Sequence, residues 1–174
     1  MNTVIKFITS VIISVIIAPM TQAQVSALKE HNVDNPVDIS ADRLEVKQKE
    51  NIAFFTGNVV VTQSDMSLIS DRITVFYEGD REEGNTSSIS RLDASGNVVM
   101  TSLTETIRST WGVYDFAERI ITLGGQVVFT NAEGQITSPR LQVNLETGQI
   151  TMDGGRTDDD NTGRVTGQFT PPEN

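Results

Sequence analysis

Cysteine is absent from the 174-residue sequence, which removes disulfides, thiolate nucleophiles and zinc–thiolate sites together. A domain of this length can bury a core without covalent staples, so the lack is compatible with export. Histidine is nearly absent too: His31 is the only one, in a polar stretch where an exposed bystander is expected. With it set aside, a Ser-His-Asp triad and a histidine metal site both lose their central member. Basic residues are scarce, 13 against 23 acidic, for a net charge of −10. Such a chain should not follow a phosphate backbone, so nucleic acid is excluded as a partner class. A basic dock for anionic headgroups is disfavoured in the same way. Arg43, Lys47, Arg72 and Arg119 read as solvated charges that blunt strand edges, with local phosphate pairing as their alternative use. No Walker-type loop or Gly-x-Gly-x-x-Gly precedes a helical pattern, and no cofactor is expected.

A long apolar run occurs once, from Phe7 to Ala18. Lys6 precedes it, Pro19 breaks it, and Thr21-Gln22-Ala23 places small residues where a signal peptidase reads. An anchor helix needs about 20 apolar residues, more than this run supplies. The sequence therefore predicts a signal peptide over residues 1–23, cleaved after Ala23. The chain would then begin at Gln24 with a charge of −11, from 12 basic and 23 acidic residues. Residues 24–36 form a lead segment in which Ser26 to His31 could make one helical turn.

From Val37 to Met152 the sequence reads as successive strands. Apolar and polar residues alternate in Val37-Asp38-Ile39-Ser40-Ala41, Leu44-Glu45-Val46, Ile73-Thr74-Val75, Tyr114-Asp115-Phe116 and Leu141-Gln142-Val143, the signature of half-buried strands. Turn chemistry separates the runs at Gln48–Asn51, Gln63–Asp65, Glu78–Ser88, Asn131–Gly134 and Glu146–Gly148. The pattern also repeats. Ala41-Asp42-Arg43-Leu44-Glu45-Val46 returns as Ser70-Asp71-Arg72-Ile73-Thr74-Val75, and more weakly as Ser138-Pro139-Arg140-Leu141-Gln142-Val143. Between these copies lie three glycine-led runs at Gly57, Gly96 and Gly125. Stacked β-units follow, each unable to bury its apolar face alone, with a glycine bending each strand at the same place. Residues 153–174 carry little apolar content and read as a mostly disordered tail, with Val165 to Phe169 a candidate extra strand.

Asp42 and Asp71 occupy equivalent repeat positions, so a paired-carboxylate hydrolase has to be weighed against them. Bonding to a turn amide explains them better. The Asp158–Asp160 run lacks the spaced ligands of a calcium loop. What remains is one apolar face: Phe55, Val59 and Val61; Met66 and Leu68; Val98 and Met100; Tyr114 and Phe116; Val127 and Phe129. Either these residues fill a closed core, or two layers splay apart and offer them to an apolar ligand.

The segment Ala53-Phe54-Phe55-Thr56-Gly57-Asn58-Val59-Val60-Val61-Thr62-Gln63, followed by Ser70-Asp71-Arg72-Ile73-Thr74-Val75, resembles the OstA-like family of periplasmic lipopolysaccharide-transport proteins. Ile39-Ser40-Ala41-Asp42, Tyr114-Asp115 and Leu123-Gly124-Gly125-Gln126-Val127 match in order, so the likeness spans residues 37–152. The third glycine run and the Glu-rich middle loop depart from it. The resemblance implies an all-β fold, an open, twisted β-jellyroll of stacked antiparallel strands. It also implies a non-enzymatic role: the interior holds the lipid A acyl chains of lipopolysaccharide while sugars and phosphates stay in water. Related subunits would join head to tail through strand edges, between an LptC-like inner-membrane protein and an LptD-like outer-membrane translocon. Val37, Ile39, Tyr114 and Phe116 match lipid-facing positions. A purely structural strand adaptor, an LptC-like subunit and an envelope polysaccharide hydrolase are the other classes considered.

Overall fold

Strands with one apolar face must pair and then cover that face, and this chain does both with a single sheet. The computed structural model describes residues 31–78, 88–155 and 163–171. Ten strands follow in chain order: β1 (Asp38–Ser40), β2 (Arg43–Lys47), β3 (Ile52–Gln63), β4 (Met66–Glu78), β5 (Ser88–Thr101), β6 (Thr106–Asp115), β7 (Ile120–Asn131), β8 (Gly134–Asn144), β9 (Gln149–Asp153) and β10 (Thr166–Phe169). All pairings are antiparallel, in the order β1-β3-β4-β5-β6-β7-β8-β10, with β2 also on β3 and β9 also on β8. The six long strands β3 to β8 thus lie between two edges, each filled by two short strands. The architecture is the expected all-β one, an open β-jellyroll. The helical turn from Ser26, the signal segment, residues 79–87 and Asp158–Asp160 lie outside the described residues. Among the described residues no helix is long and apolar enough to cross a membrane.

Every long strand bends near its middle. Register breaks occur at Thr56/Val59, Ile69/Arg72, Ser95/Val98, Arg108/Trp111 and Gly124/Val127. On β3, β5 and β7 the break holds two consecutive left-handed residues: Gly57-Asn58, Gly96-Asn97 and Gly125-Gln126, the glycines at φ 82°, 79° and 73°. The other strands answer with a serine whose hydroxyl donates to the carbonyl two residues on. Ser70 reaches Arg72 at 3.2 Å, Ser109 reaches Trp111 at 3.1 Å and Ser138 reaches Arg140 at 2.9 Å. The β6 member of this series, Ser109-Thr110-Trp111, shares only its serine with the sequence repeat and is not legible there.

These bends fold the sheet across its midline, so buried residues from both halves of each strand enter one cluster. On β4, β6 and β8 the inward positions change parity at the serine. Met66, Leu68 and Ser70 give way to Ile73 and Val75; Ile107 and Ser109 give way to Gly112 and Tyr114. One expectation fails at the edge. β2 forms, but Leu44 and Val46 are 54% and 49% exposed rather than half-buried, because β2 pairs only with β3 and no described element covers its apolar side.

Candidate apolar ligand site

All thirteen residues expected to line the ligand path fall in one apolar cluster. Val59, Val61, Met66, Val98, Met100, Tyr114, Val127 and Phe129 are buried in it, while Val37, Ile39, Phe55, Leu68 and Phe116 pack against it half-buried. The Tyr114 and Phe116 rings stack at 4.0 Å between centroids. Cross-strand register explains the convergence, since directly paired residues share a face. One inner row runs Val46, Ala53, Val75, Leu92, Tyr114, Ile121, Val143, Ile150. A second, in the other layer, runs Ile39, Val61, Leu68, Met100, Ile107, Phe129, Ile136, Gly167.

The layers meet closely at the centre, where Val59, Val98 and Val127 are at most 1% exposed. A cleft remains, lined by Val37, Val61, Gln63, Met66, Leu68, Ile73, Leu92, Ala94, Gly112, Val113, Tyr114, Ile121 and Leu123. It is thin, with room for about one water molecule at its widest. Between the closed core and the splayed interior that the residues left open, the structure has a slot, narrower than the open interior the resemblance implies. Five of the thirteen expected residues line it: Val37, Val61, Met66, Leu68 and Tyr114. Ile73, Leu92, Ala94, Ile121 and Leu123 were not anticipated. Of these only Ile73 lies beyond a parity change, at Ser70. Leu92 and Ala94 share the parity of Val98 and Met100, and Ile121 and Leu123 that of Val127 and Phe129, so period two carried along β5 and β7 reaches them.

One end of the cleft is polar. Gln63, 3% exposed, donates from Nε2 to the Val33 carbonyl at 2.9 Å and the Asn35 carbonyl at 2.8 Å. Its Oε1 lies 3.0 Å from His31 Nε2 and accepts from the Tyr114 hydroxyl at 3.4 Å. His31 is buried rather than the exposed bystander expected, because this amide satisfies its ring. Its Nδ1 lies 3.5 Å from Asp65 Oδ1. Burial pushes the Tyr114 phenol up to about 12, with Arg119 opposing and Asp34 adding to the shift.

The acidic pair has a structural occupation. Asp42 accepts from the Asn58 side-chain amide and Asp71 from that of Asn97, both at 2.9 Å. Each carboxylate thus braces a bulge side chain rather than a turn amide. Arg43 and Lys47 pair with Glu45 and Glu50, and Arg72 lies over the Phe54 ring at 4.8 Å. No group of acidic or histidine side chains among the described residues could hold a metal ion.

Residues 38–149 match the sequence profile of the family described as LptA/(LptD N-terminal domain) LPS transport protein. The chain belongs to this family. An uncharacterised protein of Rhizobium meliloti (strain 1021) is 33% identical over 153 residues, 84% of this chain and 81% of that protein. The lipopolysaccharide export system protein LptA of Escherichia coli (strain K12) is 31% identical over 51 residues, 29% of this chain and 28% of that protein. The crystal structure of LptH, the LptA-homologous periplasmic component of the lipopolysaccharide transport device of Pseudomonas aeruginosa, aligns with a TM-score of 0.65. That alignment covers 79% of this chain and 96% of LptH at 14% identity, and shows a shared fold. The OstA-like resemblance thus holds at the level of the family, one of lipopolysaccharide transport proteins rather than of enzymes.

Proposed function

We propose that the protein is an exported periplasmic carrier, cleaved after Ala23, which shields the lipid A acyl chains of lipopolysaccharide and forms one segment of a bridge between the membranes. The inner face supports this reading: it is apolar along successive rungs and stays apolar where each edge strand leaves it uncovered. At one edge the uncovered residues are Leu44 and Val46; at the other, Val165 and Phe169 are 42% and 63% exposed. Apolar burial contributes about 25 cal/mol per Å², so an acyl chain gains by lying along such a face even when partly covered. The edge pairs β1–β2 and β9–β10 offer unpaired backbone to a neighbour of similar fold. A second copy, an LptC-like protein and an LptD-like translocon are the neighbours proposed. No nucleotide site was read in the sequence, so direction has to come from an energised partner.

The thinness of the cleft favours a second reading, an adaptor whose interior stays closed and whose edges alone matter. A Phe116→Asp variant separates the two. Phe116 is half-buried against Tyr114, so a charge there desolvates in the lipid path while the strands persist. Carriage predicts loss of lipopolysaccharide binding with an unchanged far-UV circular dichroism spectrum. Undiminished binding by the folded variant would sink it.

A further inference from the structure

Residues 31–37 do not pair as a strand; they fold back over the polar end of the cleft. An Asx turn starts the fold, the Asp34 amide donating to Asn32 Oδ1 at 3.0 Å, and the Asn35 amide closes it on the Asn32 carbonyl. Val33 and Val37 then press onto the core. Gln63 holds both sides of this fold: its amide hydrogens take two strap carbonyls, and its oxygen sits between His31 and Tyr114. Asn35 also donates to Ser64 Oγ at 2.6 Å, and Arg119 approaches Asp34 at 4.0 Å. Gln63 is the one amide in an otherwise apolar lining, and half of its bonding goes to backbone that belongs to no strand.

We propose that residues 31–37 are a displaceable strap, latched by Gln63, which occludes the cleft until an acyl chain enters. This rests on the proposed carriage of an apolar chain. Two features make the strap, rather than the strands, the moving part. Besides the packing of Val33 and Val37 it is held by a few side-chain bonds, while each strand is held by a continuous ladder. Every bond that Gln63 gives to the strap can also be given to water once the strap lifts, so opening strands no buried donor. Lifting it also removes Val37 from the lining and opens the cleft at the Gln63–Tyr114 end.

The cysteine-free chain allows a direct test. Asn35→Cys with Ser64→Cys places two thiols where a side-chain bond already exists, so oxidation fixes the strap shut. An anthroyloxy-stearate probe, fluorescent in apolar surroundings, reports entry by stopped flow. The oxidised protein is expected to lose probe uptake, and reductant to restore it. Gln63→Leu, which keeps the apolar volume but drops the latch, should raise the association rate several-fold, because that rate follows the open fraction. Equal uptake by oxidised and reduced protein overturns the strap and leaves carriage standing, as does a wild-type rate in Gln63→Leu. No uptake by wild type or by the reduced pair overturns both.

Discussion

Replacing Gly96 by alanine tests the device that folds the sheet. Gly96 sits at φ 79° with Asn97 also left-handed at φ 47°. An alanine forced into that region costs roughly 1–2 kcal/mol. The added Cβ would also overlap the Asp71 carboxylate, which must rotate away and give up its 2.9 Å bond from Asn97. Losing that bond costs about 1 kcal/mol at this exposed site. Gly96→Ala should therefore destabilise the fold by about 2–3 kcal/mol, and Asp71→Ala alone by about 1 kcal/mol. The double variant loses the hydrogen bond only once, so it should fall about 1 kcal/mol short of the sum. Urea titration followed by far-UV circular dichroism measures all three, with an unchanged slope certifying that only stability moved. Additive costs would refute the coupling of carboxylate and bulge. A Gly96→Ala penalty below about 0.5 kcal/mol would refute the left-handed requirement itself.

Tyr114 gives a prediction in pH. Its folded value of about 12 stands above the ordinary 10, so its contribution is complete below pH 10. It is lost between about pH 10 and pH 12, as the unfolded chain sheds a proton that the folded one keeps; absorbance near 295 nm should show a phenol unionised at pH 11, and Tyr114→Phe should remove that late transition. At the edges, Phe169→Asp should abolish concentration-dependent sedimentation without altering the spectrum of the monomer, because Phe169 is 63% exposed. An unchanged sedimentation profile would detach β10 from any junction.

Much of the strand pattern can be read in order from the residues, because period two needs only local alternation. The thirteen apolar positions were legible too, since the phase of each is set by its own neighbours; eleven lie on strands, while Val37 and Phe116 flank β1 and β6. Ile73 was harder: it lies across the parity change at Ser70, which depends on what the facing strand does. Leu92 and Ala94 on β5, and Ile121 and Leu123 on β7, keep the phase of the expected residues beyond the bend and were within reach of period two. His31 fails for a different reason. Nothing within ten residues of it predicts burial, because its partner Gln63 is 32 residues away.

Sequence alone determined the absence of thiol chemistry, the repeat of glycine-led bends and the apolar stripe, since each is a property of composition or of near neighbours. Tertiary structure decided how wide the interior stands, which edge residues go uncovered and where residues 31–37 come to rest. Those depend on contacts between segments far apart in the chain, where packing and the satisfaction of buried polar groups outweigh local preference.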